Sequence, residues 1–296
     1  MSNKDKIEKL LANVESALES INTNEQWLKY ISFASKFTSY SVTNQLLIYM
    51  QNPEASSVAG YRSWETKFNR HVKSGSKAIK ILAPSFKKIE VIKEPNNPNE
   101  YYDAEAEKET RRVISGFRTV NIFDIQDTEP NDDAADSLIP VLVSGLKGSS
   151  EELIELYHDI LSVVRKEHEV IEVGKTASKG SFDTITGRIC IRSDIDPIAK
   201  IKTLCHEWSH AIHLATIEGA GMTRAQKEIV AESSSYICCM RMGINTEDYS
   251  FPYIQSWMQT PNDIKIVAEA TQMVACTILN KLAESGGSAF SFLKED

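Results

Sequence analysis

The sequence contains no apolar run that approaches the roughly 18–20 residues of a membrane-spanning helix. Its first residues, MSNKDKIEKLLANVES, lack the apolar core and small-residue cleavage site of a secretory signal. The five cysteines include no C-x-x-C pair and all lie in the second half, which is typical of reduced, buried thiols. We therefore expect a cytoplasmic globular protein with no membrane partner.

An excess of positive charge is also missing, because 33 Lys and Arg stand against 41 Asp and Glu in 296 residues. A net charge of −8 usually argues against a nucleic-acid partner. However, residues 1–128 sum to +2 and the remainder to −10, and residues 62–93 hold nine basic and two acidic side chains. The total therefore excludes few functions, and its division marks a boundary.

The spacing of apolar residues and the positions of Gly and Pro predict helices followed by strands in the first part. The predicted helices are 1–21, 24–37 and 42–50. The predicted strands are 78–82, 89–92 and 113–125, with a long hairpin loop at 94–110.

The acidic stretch DTEPNDDAADS predicts a linker, after which helices and strands begin again. A capping box of Ser149 and Glu152 opens a helix, and strands are expected at 170–173 and 181–192 with a turn at Thr186-Gly187. Further helices are expected at 197–216, 223–242 and 261–283. We predict an α+β fold with a first domain at 1–128, a linker at 129–148 and a second domain at 149–296.

Residues 203–214, TLCHEWSHAIHL, contain the motif H-E-x-x-H in a helical, apolar context. His206 and His210 are four residues apart, so both imidazoles stand on one helix face and both reach one zinc ion. Glu207 lies beside them, where its carboxylate is placed to take a proton from metal-activated water. Thr216 stands where the longer H-E-x-x-H-x-x-G-x-x-H motif has a third histidine, which excludes that subclass.

Catalytic zinc usually has three protein ligands and one open position, so a third ligand is needed. The next predicted helix carries Glu228 and Glu232 on one face. Glu232 lies among small and apolar residues, where a carboxylate is costly unless it is paired or binds a metal, and we expect it to be the third ligand. Glu228 is the second choice, or a partner that orients a histidine.

Two further side chains allow more than one interpretation. Tyr236 is a candidate to stabilise an oxyanion, although a buried core tyrosine is the more common case. His213 is either a substrate contact or an ordinary packed or exposed histidine. The cysteines fall at no zinc-ligand spacing, so we interpret them as core residues.

Residues 61–93 interleave basic and aromatic side chains. Cations follow the phosphates of a single strand while exposed rings stack on unpaired bases, so this pattern suits single-stranded nucleic acid. The alternative is a solvated basic face above core aromatics. The contrast with the acidic second half favours binding.

Taken in order, these elements resemble the ArdC-type antirestriction family over about residues 25–283. The matching segments of the first part are Tyr40-Ser41 with Asn44, Gln51-Asn52-Pro53, Ala59-Gly60-Tyr61 with Trp64, Val72-Lys73 with Gly75, Phe117-Arg118 through Phe123-Asp124, and Gln126-Asp127-Thr128-Glu129. Those of the second part are His206-Glu207 with His210, Ile229-Val230-Ala231-Glu232 and, more weakly, Tyr253-Ile254 with Ser256-Trp257.

The resemblance implies a first domain of helices and antiparallel sheet that binds single-stranded DNA, and a zincin-like metallopeptidase domain of the gluzincin kind. It also implies a conjugative plasmid or related mobile element, and protection of incoming DNA from restriction. The candidate DNA contacts are Tyr40, Ser41, Asn44, Gln51, Tyr61, Trp64, Arg70, Lys73, Lys77 and Lys80.

We therefore expect a DNA-associated zinc peptidase in which His206, His210 and Glu232 hold Zn²⁺ and Glu207 and Tyr236 act on a protein substrate at the DNA. The first alternative is a non-enzymatic DNA-shielding protein with a structural metal. Glu207 argues against it, since a structural site needs no general base. The second alternative is a peptidase with no nucleic-acid role.

Overall fold

The computed structural model describes residues 2–92, 108–135, 150–257 and 264–285, together with Phe290 and Leu293. The first part opens with the helices α1 (Asn3–Ser20), α2 (Asn24–Ala34) and α3 (Val42–Gln51), which confirms the three predicted helices. Each helix begins at a hydroxyl side chain that accepts a hydrogen bond from a first-turn N–H group. These caps are Ser2, Thr23 and Ser41.

An antiparallel sheet with the strand order β1-β4-β3 follows these helices. Its strands are β1 (Val58–Gly60), β3 (Ile79–Ile92) and β4 (Lys108–Asp124). The short helix α4 (Tyr61–Thr66) and β2 (Arg70–Val72) lie between β1 and β3, and β2 pairs with β5 (Thr128–Pro130). β3 pairs with β4 from Ile79 to Ile92, and both strands are longer than the predicted ones. Residues 108–110 of the predicted loop are strand, and the rest of it lies outside the described residues.

Residues just after the predicted boundary at residue 128 hydrogen-bond to the first part. Pro130 pairs with Arg70, and the N–H of Asn131 donates to the carbonyl of Asn69 at 2.9 Å. Residues 136–149 lie outside the described residues, so the rest of the linker stays a prediction.

The second part contains α5 (Ser150–Val164) and a small sheet of order β6-β8-β7. In this sheet β6 (Val170–Val173) runs parallel and β7 (Gly180–Phe182) antiparallel to the central β8 (Ile189–Arg192). The predicted turn is present, because Gly187 has a φ of 71° and donates to the carbonyl of Asp183. The helices that follow are α6 (Pro197–Leu214), α7 (Ile217–Gly221), α8 (Arg224–Arg241), α9 (Glu247–Trp257) and α10 (Ile264–Glu284).

Both parts contribute to one hydrophobic core in the described residues. Trp27 of α2 is fully buried, and its indole N–H donates to the hydroxyl of Ser233 on α8 at 3.1 Å. Gln45 of α3 donates to Gln272 of α10 at 2.9 Å. The predicted α+β class is confirmed, and the two parts are packed against each other. Among the helices described, none has the length and apolar character needed to cross a membrane.

Candidate functional site

The H-E-x-x-H motif lies in the second half of α6. This helix begins at Asp196, which accepts a hydrogen bond from an N–H of the first turn, and has Pro197 at its first position. His206 and Glu207 are buried and His210 is partly buried. The Nε2 atoms of the two histidines are 3.1 Å apart, as their four-residue spacing predicts.

Helix α8 packs against α6 and brings two carboxylates to these histidines. Its predicted capping box is present, since Thr223 and Gln226 each accept a hydrogen bond from the other's backbone N–H. Glu228 and Glu232 stand one turn apart on this helix and approach different ring nitrogens of His206.

Glu228 completes a triangle of metal-ligating atoms. Its Oε2 lies 3.6 Å from Nε2 of both His206 and His210. A tetrahedral zinc site with bonds of about 2.1 Å has edges of about 3.4 Å between ligands, so this triangle fits one ion. Within the part of the chain that the structure describes, these three residues form a group able to hold a metal. They leave a fourth position for water or substrate.

Glu232, the third ligand expected from the sequence, faces the other side of His206. Its Oε2 lies 2.9 Å from Nδ1 of His206, its Oε1 lies 2.6 Å from Nζ of Lys202, and the side chain is fully buried. The hydrogen bond to Glu232 assigns the proton of neutral His206 to Nδ1, which leaves the lone pair of Nε2 directed at Glu228 and His210. Glu232 therefore contacts the ring nitrogen of His206 that faces away from the triangle, which is the kind of contact that the sequence interpretation offered to Glu228 as a partner of a histidine.

Burial and charge oppose each other at this cluster. Burial lowers the pKa of His206, but hydrogen bonds with Glu228 and Glu232 outweigh it and raise that pKa to about 9. Burial raises the pKa of Glu228, yet its contacts with His206 and His210 hold the value well below its ordinary range. Burial raises the pKa of Glu207. The cluster thus stabilises positive charge between its carboxylates, which suits a cation.

Tyr236 of α8 and Tyr253 of α9 have different partners. Tyr236 is fully buried and donates to Glu247 at 3.1 Å, away from the residues that line the cleft. Tyr253 of α9 donates to Oε2 of Glu228 at 3.1 Å, and its ring lies edge-on to His206 at 5.8 Å. The sequence interpretation missed this contact and the Lys202 ion pair, because no local spacing links either residue to the motif.

The triangle opens into a cleft of about 580 Å³ whose walls include β7, Tyr253 and the cations Arg224 and Lys227. β7 forms the edge of the small sheet and lies close against α6. A Cβ atom on Gly180 would lie 2.5 Å from Cγ2 of Thr203, so a larger residue does not fit there. His213 also lines the cleft, although it is buried.

Two predicted DNA contacts, Asn44 and Gln51, hydrogen-bond to the backbone of the edge strand β3. The side-chain amide of Asn44 pairs with the N–H and carbonyl of Leu82, both at 2.9 Å. Gln51 pairs in the same way with the backbone of Lys80 at 2.9 and 3.0 Å. Both amides therefore replace the hydrogen bonds of a neighbouring strand.

Four more predicted contacts are engaged within the fold. Trp64 is fully buried and donates to a carbonyl of β4 at 2.9 Å, so its ring offers no face to a base. Arg70 is buried and donates to Thr128 at 2.8 Å. The hydroxyl of Tyr40 donates to a carbonyl of β1 at 3.3 Å, and Ser41 caps α3.

The remaining four predicted contacts, Tyr61, Lys73, Lys77 and Lys80, are exposed. Tyr61 is 51% exposed. Lys73 donates to the carbonyl of Gln126 at 3.0 Å, although its side chain stays largely in solvent. These four residues remain accessible to a ligand.

Comparison with known proteins identifies the first part of the chain. Residues 4–123 match the family model of the N-terminal domain of anti-restriction factor ArdC. An uncharacterized protein of Bacillus anthracis is 24% identical over 271 residues, which is 82% of this chain and 45% of that protein. The chain thus spans about half the length of this curated relative.

The crystal structure of the metal-free antirestriction protein ArdC from the R388 plasmid has a TM-score of 0.50 and 15% identity to the chain, and the match covers 83% of this chain and 86% of that one. The Mn(II)-bound structure of the same protein has a TM-score of 0.47 and 14% identity, over 82% and 85% of the two chains. The first match shows a shared fold across both parts. The ArdC resemblance predicted from the sequence is confirmed.

Proposed function

We propose that this ArdC-type chain is an antirestriction protein that joins a single-stranded-DNA-binding part to a zinc-dependent peptidase. The observation that carries the peptidase is the triangle of His206, His210 and Glu228, which fits one ion and opens into a cleft. The family of residues 4–123 and the basic character of residues 62–93 support the first part.

In this proposal Glu228 takes the ligand role first expected of Glu232, and Glu232 with Lys202 positions His206. Two imidazoles and one carboxylate are a donor set typical of catalytic zinc, whereas Mg²⁺ and Mn²⁺ prefer sites richer in oxygen. With Zn²⁺ bound, the centre supplies polarisation of a peptide carbonyl and a lower pKa for water.

The protein's own groups then move the proton. Glu207 is buried beside the histidines and its raised pKa makes it a stronger base, so it accepts the proton of the attacking water and passes it to the leaving amine. Tyr253 holds Glu228 through its hydroxyl. Tyr236 takes no part, because it is fully buried and donates to Glu247.

The rival function is DNA shielding with a structural metal. A structural zinc site is closed by four protein ligands. The described residues offer three ligands and an open cleft, and they include a buried carboxylate beside the ligands, which favours the enzyme. Both functions place the protein with DNA in the cytoplasm, where its buried thiols stay reduced.

The test incubates the full chain with a single-strand-binding protein and a restriction endonuclease as candidate substrates, with and without single-stranded DNA and a chelator. We expect cleavage that the chelator abolishes and that Glu207→Gln lacks. Antirestriction that persists in Glu207→Gln, with no cleavage by the parent protein, would favour shielding. Failure of the parent protein to bind single-stranded DNA would contradict the DNA-binding role proposed for the first part.

A further inference from the structure

The ribbon formed by β3 and β4 has two distinct faces, because directly paired residues point to the same side of a sheet. The pairs Ile79–Ile122 and Ile81–Val120 point into the core. The other side, which we call the outer face, carries the alternate pairs. These pairs are Lys80–Asn121, Leu82–Thr119, Pro84–Phe117, Phe86–Ile114, Lys88–Arg112 and Glu90–Thr110.

Large apolar side chains stand in solvent along this outer face. Phe86 is 49%, Phe117 51% and Ile114 59% exposed. Tyr61 continues the row at the base of the sheet, where it packs edge-on against Phe123 with ring centroids 6.2 Å apart. Exposed apolar groups that cluster on one face mark an interaction surface.

Cations accompany these rings. The guanidinium of Arg112 lies over the ring of Phe86 at 4.8 Å, and Lys80 and Lys88 are exposed on the same face. Residues 84–92 and 108–118 together carry six basic and two acidic side chains. Among the described positions of the outer face, Glu90 is the acidic one, and it lies at the far end of the ribbon.

This arrangement favours a polynucleotide over a protein. From Arg112 to Phe123 the face extends about 35 Å along β4 and carries both rings and cations. A single strand presents both base faces and phosphates, and aromatic rings on a basic surface bind it by stacking. A duplex keeps its base faces stacked internally and offers none to Phe86 or Phe117.

We infer that the outer face of the β1-β4-β3 sheet is a stacking platform for single-stranded nucleic acid, with Tyr61, Phe117, Phe86 and Arg112 as its principal contacts. This inference rests on the proposed DNA binding. It assigns the stacking of bases to exposed rings of the outer face and not to the buried Trp64.

The experiment measures the binding of the full chain to a fluorescent oligothymidylate of about 16 nucleotides by anisotropy over a range of salt concentrations. Phe86→Ala and Phe117→Ala should each weaken binding by about 5- to 100-fold, since each removes one stacked base. Val113→Ala is the matched control, because it truncates an apolar residue of the opposite face. Arg112→Gln and Arg111→Gln remove the same charge from opposite faces, and we expect the larger loss for Arg112→Gln. Thermal unfolding of each variant confirms that it is folded.

The outcomes separate this inference from the proposed function. Selective losses on the outer face support the platform, and oligouridylate tested in parallel shows whether DNA or RNA binds more tightly. If the parent protein binds oligothymidylate but variants of the two faces lose affinity equally, the platform is refuted while the DNA-binding function survives. Tighter binding of a duplex also refutes the platform. No binding by the parent protein refutes both.

Discussion

Replacing Glu232 by Gln should destabilise the metal-free protein strongly, because this carboxylate is buried between two cationic partners. Its oxygens lie 2.6 Å from Nζ of Lys202 and 2.9 Å from Nδ1 of His206. Removing one partner of a buried ion pair costs about 3–5 kcal/mol, and an amide keeps one acceptor oxygen for the two donors. We therefore expect the free energy of unfolding to fall by about 3 kcal/mol.

Replacing Glu228 by Gln should cost less stability and more metal affinity. In the metal-free protein its carboxylate accepts from Tyr253 at 3.1 Å and lies 3.6 Å from Nε2 of both histidines, so the free energy of unfolding should fall by about 1–3 kcal/mol. Metal affinity should fall by more than the roughly 10–100-fold that is typical when a group behind a ligand is lost. Glu232→Gln, which acts on the ion only through His206, should stay within that smaller range.

Urea unfolding of chelator-treated protein measures the free energy of unfolding. Competition with a chromophoric zinc chelator measures the metal affinity. Glu247→Gln is the matched control, because it removes the charge of a carboxylate that accepts from the buried Tyr236 and leaves the histidines alone. The reasoning is refuted if Glu232→Gln abolishes zinc binding while Glu228→Gln binds zinc like the parent protein. Glu232 would then be the ligand that the sequence first indicated.

Three further substitutions test the centre and its cleft. Glu207→Gln should keep the bound metal and stop peptide cleavage, because it removes the proton acceptor and no ligand; metal analysis beside a cleavage assay checks this, and an active variant contradicts it. Tyr253→Phe should lower zinc affinity about 10-fold by freeing Glu228, and an unchanged affinity in the chelator competition would show that the hydroxyl holds nothing. Gly180→Val should lower the melting temperature in calorimetry, since its Cβ would lie 2.5 Å from Thr203; a melting temperature equal to that of the parent protein contradicts the close approach of β7 to α6.

The motif on α6 was predictable because a four-residue spacing on one helix fixes the relation of His206 to His210. The choice between Glu228 and Glu232 was not, because both lie on one face of α8 and the packing of two helices decides which carboxylate meets Nε2. The burial argument correctly identified Glu232 as a carboxylate that needs a partner. That partner, Lys202 with Nδ1 of His206, comes from α6, and spacing within α8 carries no information about it.

Packing between elements also explains why several predicted DNA contacts are engaged within the fold. Alternating rings and cations are visible in the sequence, but exposure depends on which side of a strand meets the core. Trp64 proved fully buried, whereas Phe117, which was not among the predicted DNA contacts, stands half exposed. Asn44 and Gln51 look like free polar groups until α3 is placed beside β3, where both amides bond to the strand's backbone.

The arrangement of α2 and α3 bears on how the two proposed sites would work together. On one side α3 holds the edge of β3 through Asn44 and Gln51, and on the other its Gln45 reaches α10. Trp27 of α2 meets α8 at Ser233, the residue after the buried Glu232. Flexibly linked domains normally share a small polar interface, and their reach depends on linker length. Here a buried apolar core joins the sheet to the helices of the proposed metal centre, so a strand bound on the sheet would lie at a fixed position relative to the cleft. The distance between the two sites would then be nearly constant. A protein bound to the nucleic acid would be selected as a substrate when it lies at that distance along the strand.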